Sequence, residues 1–287
     1  MWARREPRVT ALRVGLFIKS GIHANDDDGS PNDRDDRTGG SAGLPPGIAK
    51  KDFIPPGIAT QIQENERHVT APSHTTVNLG NSNATVTLQG NNVTVVGQNG
   101  NVTVTGVNTS FDRVALGNGT DNVSLSGSNN KITLGNGNDS VMLRSSSSNN
   151  AVTVGSGHDT ITTVAGDTNN TFLLDASTSS LVLHGTNNKV FINGGTDTIK
   201  DSPSQLDALT MHVGSSGGVI NIANFSAANG VVDLMPNLGF TSSAQAAAAL
   251  KDDGHGGTQL TFAGGLGSID FQGVALGSLH AHNFKIT

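Results

Sequence analysis

Three stretches of the chain place a carboxylate at the same distance from a pair of glycines. LGNGTDNVSL begins at Leu116, LGNGNDSVML at Leu134 and VGSGHDTITT at Val154. In each, an Asp (Asp121, Asp139, Asp159) stands four residues after one Gly and two after the next, and an aliphatic residue (Val123, Val141, Ile161) follows two positions later. A fourth copy keeps Gly195, Asp197 and Ile199 but has Asn193 in place of the first Gly. From residue 69 onward there are thirteen acidic residues against seven basic ones, and all thirteen are Asp. A solvated face would mix Asp with Glu. Asp alone points to turns, where a short carboxylate reaches back to its own backbone, or to oxygen-ligand metal sites.

Composition limits what can hold these residues in place. The 287 residues include 37 Gly, no Cys and no Tyr, with 34% hydrophobic and 4% aromatic content. Neither a disulfide framework nor a thiolate metal site is possible. So little bulk argues against a thick globular core and for a thin one of small aliphatic side chains. The formal net charge is −6, and without a basic patch a nucleic-acid partner is disfavoured. No segment reaches the length of a membrane span.

The positioning elements follow from a repeat. The aliphatic residues after each Asp belong to a longer column, Val86, Val104, Val123, Val141, Ile161, Leu181 and Ile199. Halfway between lies a second column, Val95, Val114, Ile132, Val152, Phe172 and Val190. Both repeat about every nineteen residues, and apolar residues alternate with polar ones around each member. That pattern predicts two short strands and two turns per circuit, each strand pairing in parallel with its copy in the next circuit. One circuit cannot bury its inner face; a stack can. The expected fold is all-β, a parallel β-roll or β-helix.

The three glycine–aspartate stretches resemble the nonapeptide of the RTX (repeats-in-toxin) family, G-G-x-G-x-D-x-U-x. The resemblance covers roughly residues 78–200, and its ion-binding part about 116–162. It implies Ca²⁺ held between turns of neighbouring circuits by an Asp and by main-chain carbonyls from both. Carried over residue by residue, the ligand turns are Gly117, Asn118, Gly119 and Asp121; Gly135, Asn136, Gly137 and Asp139; and Gly155, Ser156, Gly157 and Asp159. Asp197 is a further, isolated candidate, because Ser179 occupies the intervening position. The chain departs from the family at the first glycine, which is Leu or Val in the good copies. The other reading of these Asp residues is that they only make Asx turns.

The opposite turns carry the pairs Asn129-Asn130, Asn149-Asn150, Asn169-Asn170 and Asn187-Asn188. Stacked in register, such side chains form hydrogen-bonded ladders and need no ion. Beside them, Arg113, Lys131 and Lys189 occupy outward positions, where they either contact an anionic polysaccharide or keep the surface soluble.

No catalytic motif is present. H-E-x-x-H is absent, and Gly214-Ser215-Ser216-Gly217-Gly218 matches G-x-S-x-G without the strand–turn–helix setting that gives that motif meaning. A polysaccharide lyase or epimerase module, the alternative reading, would group Asp with Lys, Arg or His on one sheet; the columns above show no such group.

The ends differ in texture. Residues 1–70 read as a disordered tail, with the polar run NDDDGSPNDRDDRTGG from Asn25. The roll is expected over 71–204 and a small β-rich capping region over 205–287, with a helix in SSAQAAAALKDDG capped by Ser242 and Gln245 and ended by Gly254. The last 45 or so residues resemble the C-terminal region of bacterial type I secretion substrates, which implies export by that machinery. The expectation is therefore a secreted, extracellular, non-enzymatic bacterial protein that binds calcium.

Overall fold

The computed structural model describes residues 51–53, 59–61, 67–144, 147–175, 177–202 and 209–287. The chain winds as a parallel β-solenoid. Among the described residues thirteen strands form one sheet, here sheet I, and eleven form the other, sheet II, and the chain alternates between them. In sheet I, Asn122–Leu125, Ser140–Leu143, His158–Thr162, Thr178–Val182 and Thr196–Lys200 pair in parallel in that order. In sheet II the order is Arg113–Ala115, Lys131–Thr133, Ala151–Val154, Thr171–Asp175 and Lys189–Asn193.

Both aliphatic columns run as the spacing predicts. Val123, Val141, Ile161, Leu181 and Ile199 are successive register partners and are fully buried, as are Ile132, Val152, Phe172 and Val190 facing them. Alternation at period two sends Thr160, Ser180 and Thr198 outward from sheet I and Lys131, Thr171 and Lys189 outward from sheet II. A core this thin is built almost wholly from Val, Ile and Leu, which accounts for the aromatic-poor composition.

What closes each circuit is a pair of buried side-chain ladders at the two edges. On the asparagine edge the main-chain N–H of Asn130 donates to Asn150 Oδ1 at 2.8 Å, that of Asn150 to Asn170 Oδ1 at 2.9 Å, and that of Asn170 to Asn188 Oδ1 at 3.1 Å. The amide nitrogens also work: Nδ2 of Asn130, Asn150 and Asn170 donates to the carbonyls of Thr109, Gly127 and Ser147 in the preceding coil. The first Asn of each pair has a different task. Asn129, Asn149, Asn169 and Asn187 all lie at φ between 56° and 61°, the left-handed region that Asn tolerates better than other non-glycine residues. The doubled asparagine is thus one residue to turn the chain and one whose side chain bonds the preceding coil.

Short strands at Lys51–Phe53, Ala59–Gln61 and Arg67–Ala71 pair with the first solenoid strands. The rest of the tail expected over residues 1–70 lies outside the described residues. At the other end the sheets run on past residue 204: Thr196–Lys200 pairs with Gly218–Ala223, which pairs with Gly267–Gln272, while Lys189–Asn193 pairs with Thr210–Val213, then Val231–Leu234, then Phe284–Ile286. The β-rich region expected at this end forms, with strands Gly218–Ala223, Val231–Leu234, Thr258–Thr261 and Gly267–Gln272. The predicted helix is shorter, Ser243–Ala248; Ser242 Oγ caps it through the Gln245 N–H, whereas Gly254 sits at φ 78° in a later turn, because Lys251–Asp252 has already joined an antiparallel hairpin. At this end Phe225, Phe271 and Phe284 pack edge to face and fill a wider core.

Replacing Asn150 by Leu strands the Asn130 N–H and the Gly127 carbonyl in a dry interior. The variant is expected to lose about 1–3 kcal/mol, read from chemical denaturation, whereas Asn149→Gly, which keeps the left-handed turn, should change stability much less.

Candidate functional site

The second edge bears the glycine–aspartate turns, and its internal bonding repeats that of the first. The N–H of Val102 donates to Asp121 Oδ1 at 2.8 Å, that of Asp121 to Asp139 Oδ1 at 2.9 Å, that of Asp139 to Asp159 Oδ1 at 3.0 Å, and that of Ser179 to Asp197 Oδ1 at 3.0 Å. Asp121, Asp139, Asp159 and Asp197 are each no more than 2% exposed. The structure therefore brings the four predicted aspartates into one column, with Ser179 between Asp159 and Asp197 as expected.

Glycine is required in these turns because the coils come so close. A Cβ on Gly137 or Gly157 would overlap the carbonyl oxygen of Gly119 or Gly137 in the preceding coil, and Gly157 is also at φ 142°. Gly135 and Gly155 donate to the carbonyls of Gly117 and Gly135, and Gly119 and Gly137 donate to the carbonyls of Asn136 and Ser156. These oxygens each keep a second lone pair. Asn136 Oδ1 accepts from Ser156 Oγ, and Asn118 Nδ2 donates to Asn99, so the outer rim of the turn is knitted by side chains as well.

The two edges differ in one atom. Where an Asn directs Nδ2 at a carbonyl, the Asp places a second oxygen, and Oδ2 of Asp121, Asp139, Asp159 and Asp197 is buried with no hydrogen-bond partner. A buried carboxylate oxygen without a donor calls for something positive beside it, a proton or a cation. Burial pushes the carboxyls of Asp121 and Asp139 up to about 6 and that of Asp197 to about 7, and Asp139 is raised further by Asp121 and Asp159 on either side. Asp159 is raised for the same reason, loss of water. The donor set of carboxylate and carbonyl oxygens suits a hard cation such as calcium. Among the described residues no three His, Cys, Asp or Glu side chains converge, so an ion here would draw most of its ligands from the main chain.

Asp112 was missed by sequence reading. It heads the asparagine column, accepts the Val93 N–H at 2.8 Å, and likewise has a buried Oδ2 without a partner and a carboxyl raised by burial. It carries no glycine motif, so only its register, eighteen residues before Asn130, marks it.

A second cluster also escaped. On the outer face of sheet II, His212 Nδ1 lies 3.0 Å from Asp233 Oδ2, Lys285 Nζ lies 3.5 Å from the same oxygen, and Thr287 Oγ1 donates to Asp233 Oδ1 at 2.7 Å. The aliphatic columns legible in the sequence show no such group because they end short of it: beyond Val190 the register partners are Met211, Val232 and Phe284, so the nineteen-residue step has lengthened and then been interrupted by an insertion.

A scan against protein-family models finds no match, and a search of curated proteins also finds none. The chain is a parallel β-solenoid, an architecture compatible with a β-roll.

The orphaned oxygens give a signed pH effect. A carboxyl whose pKa is raised on folding stabilises the fold fully below its unfolded value, near 4, and that contribution is lost as pH rises through the folded value. Chelator-treated protein should therefore melt higher near pH 5 than near pH 8, with the loss concentrated between about 4 and 7. Changing Asp121, Asp139 and Asp159 together to Asn supplies the missing donor, and should raise the metal-free melting temperature at the higher pH and flatten the profile. Melting temperatures independent of pH in both proteins would show that the buried oxygens carry no such penalty.

Proposed function

We propose that the chain is an exported, calcium-stabilised β-roll protein with a non-catalytic structural or surface role outside the bacterial cell. The observation that carries the reading is the column of buried carboxylates, each with one oxygen on a main-chain N–H and the other unpartnered. Asp121, Asp139 and Asp159, with carbonyls of their glycine turns, would hold the ions. Bound calcium would supply positive charge where the asparagine edge has an amide. Outside the cell calcium is millimolar, which suits a site of modest affinity. Export by a type I system is supported by the resemblance of the C-terminal region and by the absence of cysteine.

Calcium titration followed by circular dichroism and calorimetry tests this. The metal is expected to raise the melting temperature at neutral pH and to leave the strand signal of the folded state unchanged. Among single Asp→Ala variants, Asp139, flanked by Asp121 and Asp159, should lose the most calcium response. Asp197, whose register neighbours are Ser179 and Ile220, should lose the least. A melting temperature indifferent to calcium and chelator would leave the solenoid standing without its ion.

Export is tested separately by deleting residues 243–287 in a host with a type I system. The truncated chain should stay in the cell, whereas Phe284→Ala, which loosens the folded end while keeping the segment, should still be released. Release of both would move the signal elsewhere.

A further inference from the structure

The cluster on sheet II is more organised than a strand cap requires. Asp233 points outward from its strand yet its side chain is only 4% exposed, covered by His212, Lys285 and Thr287. His212 is fixed twice: one nitrogen faces Asp233, and its ring stacks on Phe191 at 4.4 Å with 6° between planes. With its Nδ1 turned to the carboxylate, the neutral ring is the tautomer whose Nε2 accepts, and among the described residues Nε2 has no hydrogen-bond partner. It does so in an open groove of ≈ 260 Å³ whose walls are largely apolar, among them Leu173, Phe191, Val213 and Met235.

The same face carries positive charge. Arg113 and Lys131 are register neighbours on adjacent strands, Lys189 lies further along that row, and Lys285 stands beside the groove. All four are exposed, and among the described residues Arg113, Lys131 and Lys189 form no ion pair. The acids at outward positions of this sheet are Asp175 and Asp233, and Asp233 is already covered. A cationic row on a chain of net charge −6, with strands about 4.8 Å apart, is complementary to an extended anion.

We propose that the outer face of sheet II binds an acidic polysaccharide of hexuronate residues, one ring of which occupies the groove and donates a hydroxyl to His212 Nε2. The C–H face of the ring lies on Leu173, Phe191 and Met235; its carboxylate and those of neighbouring rings meet Lys285, Lys189, Lys131 and Arg113. Neutral imidazole accepts from a hydroxyl, and the apolar walls exclude water around that bond. This site is independent of the calcium edge.

The test uses the full chain, folded in calcium, with oligogalacturonate hexamers too short to gel, and a neutral cello-oligosaccharide as the uncharged comparison. Calorimetry should show binding of the acidic hexamer that weakens with added salt. Nuclear magnetic resonance should show the His212 Cε1–H signal moving with the same saturation. Changing Arg113, Lys131 and Lys189 together to Gln should weaken binding by about tenfold, whereas Lys200→Gln on sheet I should leave it unchanged. These positions are exposed, so the fold is not at risk, and His212→Gln is read alongside its melting temperature. No binding by a folded chain would overturn the proposal. So would equal affinity for the neutral oligosaccharide, a loss of the same size from Lys200→Gln, or a His212 signal that stays still while the sugar binds.

Discussion

The structure depends on one interaction made at both edges: a buried side-chain oxygen accepting the main-chain N–H of the neighbouring coil. Strand ladders cannot continue around a tight corner, so the turn N–H groups would otherwise be left dry and unpaired. Asn150 receiving Asn130 and Asp139 receiving Asp121 solve the same problem with the same atom. Everything else, from the register of the aliphatic columns to the near-contact of glycine turns, presupposes that the corners close in this way.

Seen from that interaction, the two edges are variants of one design that differ in charge. An amide completes the corner without help. A carboxylate leaves an oxygen over, and so makes its coil sensitive to what the solvent supplies. The presence of Asp112 in the asparagine column shows that the substitution is tolerated on either edge. The chain thus combines an edge completed mostly by amides with one completed mostly by carboxylates.

Most of the fold was legible because a stack repeats its own evidence. Val123, Val141 and Ile161 are individually unremarkable, and only their common spacing identifies a wall. The same redundancy exposed Asp121, Asp139 and Asp159 and the doubled asparagines. The reading failed where the repeat changed length. After Val190 the register passes through Met211 and Val232 to Phe284, across a helix and a hairpin, and periodic reasoning has nothing to follow. His212, Asp233 and Lys285 meet on one face only because a lengthened step and then a far longer one return to the same column. The helix end was misplaced for a related reason: KDDG looks like a helix terminus locally, but pairing with Thr258–Thr261 claims Lys251 and Asp252 for a strand.

The buried corner bonds also have a polarity. In every one the accepting side chain belongs to the later coil and the donated N–H to the earlier: Val93 to Asp112, Asp112 to Asn130, Asn130 to Asn150, Val102 to Asp121, Asp121 to Asp139. Each of these buried corner N–H groups is therefore satisfied by the succeeding coil. Uncovering a coil on its C-terminal side opens those donors to solvent, whereas uncovering it on its N-terminal side opens a different set, among them Asn130 Nδ2, which donates to the Thr109 carbonyl, and the Lys131 N–H, which donates to that of Asp112. The two ends of a coil thus expose different chemistry, and the helix, the hairpin and the phenylalanine cluster are gathered at the C-terminal one.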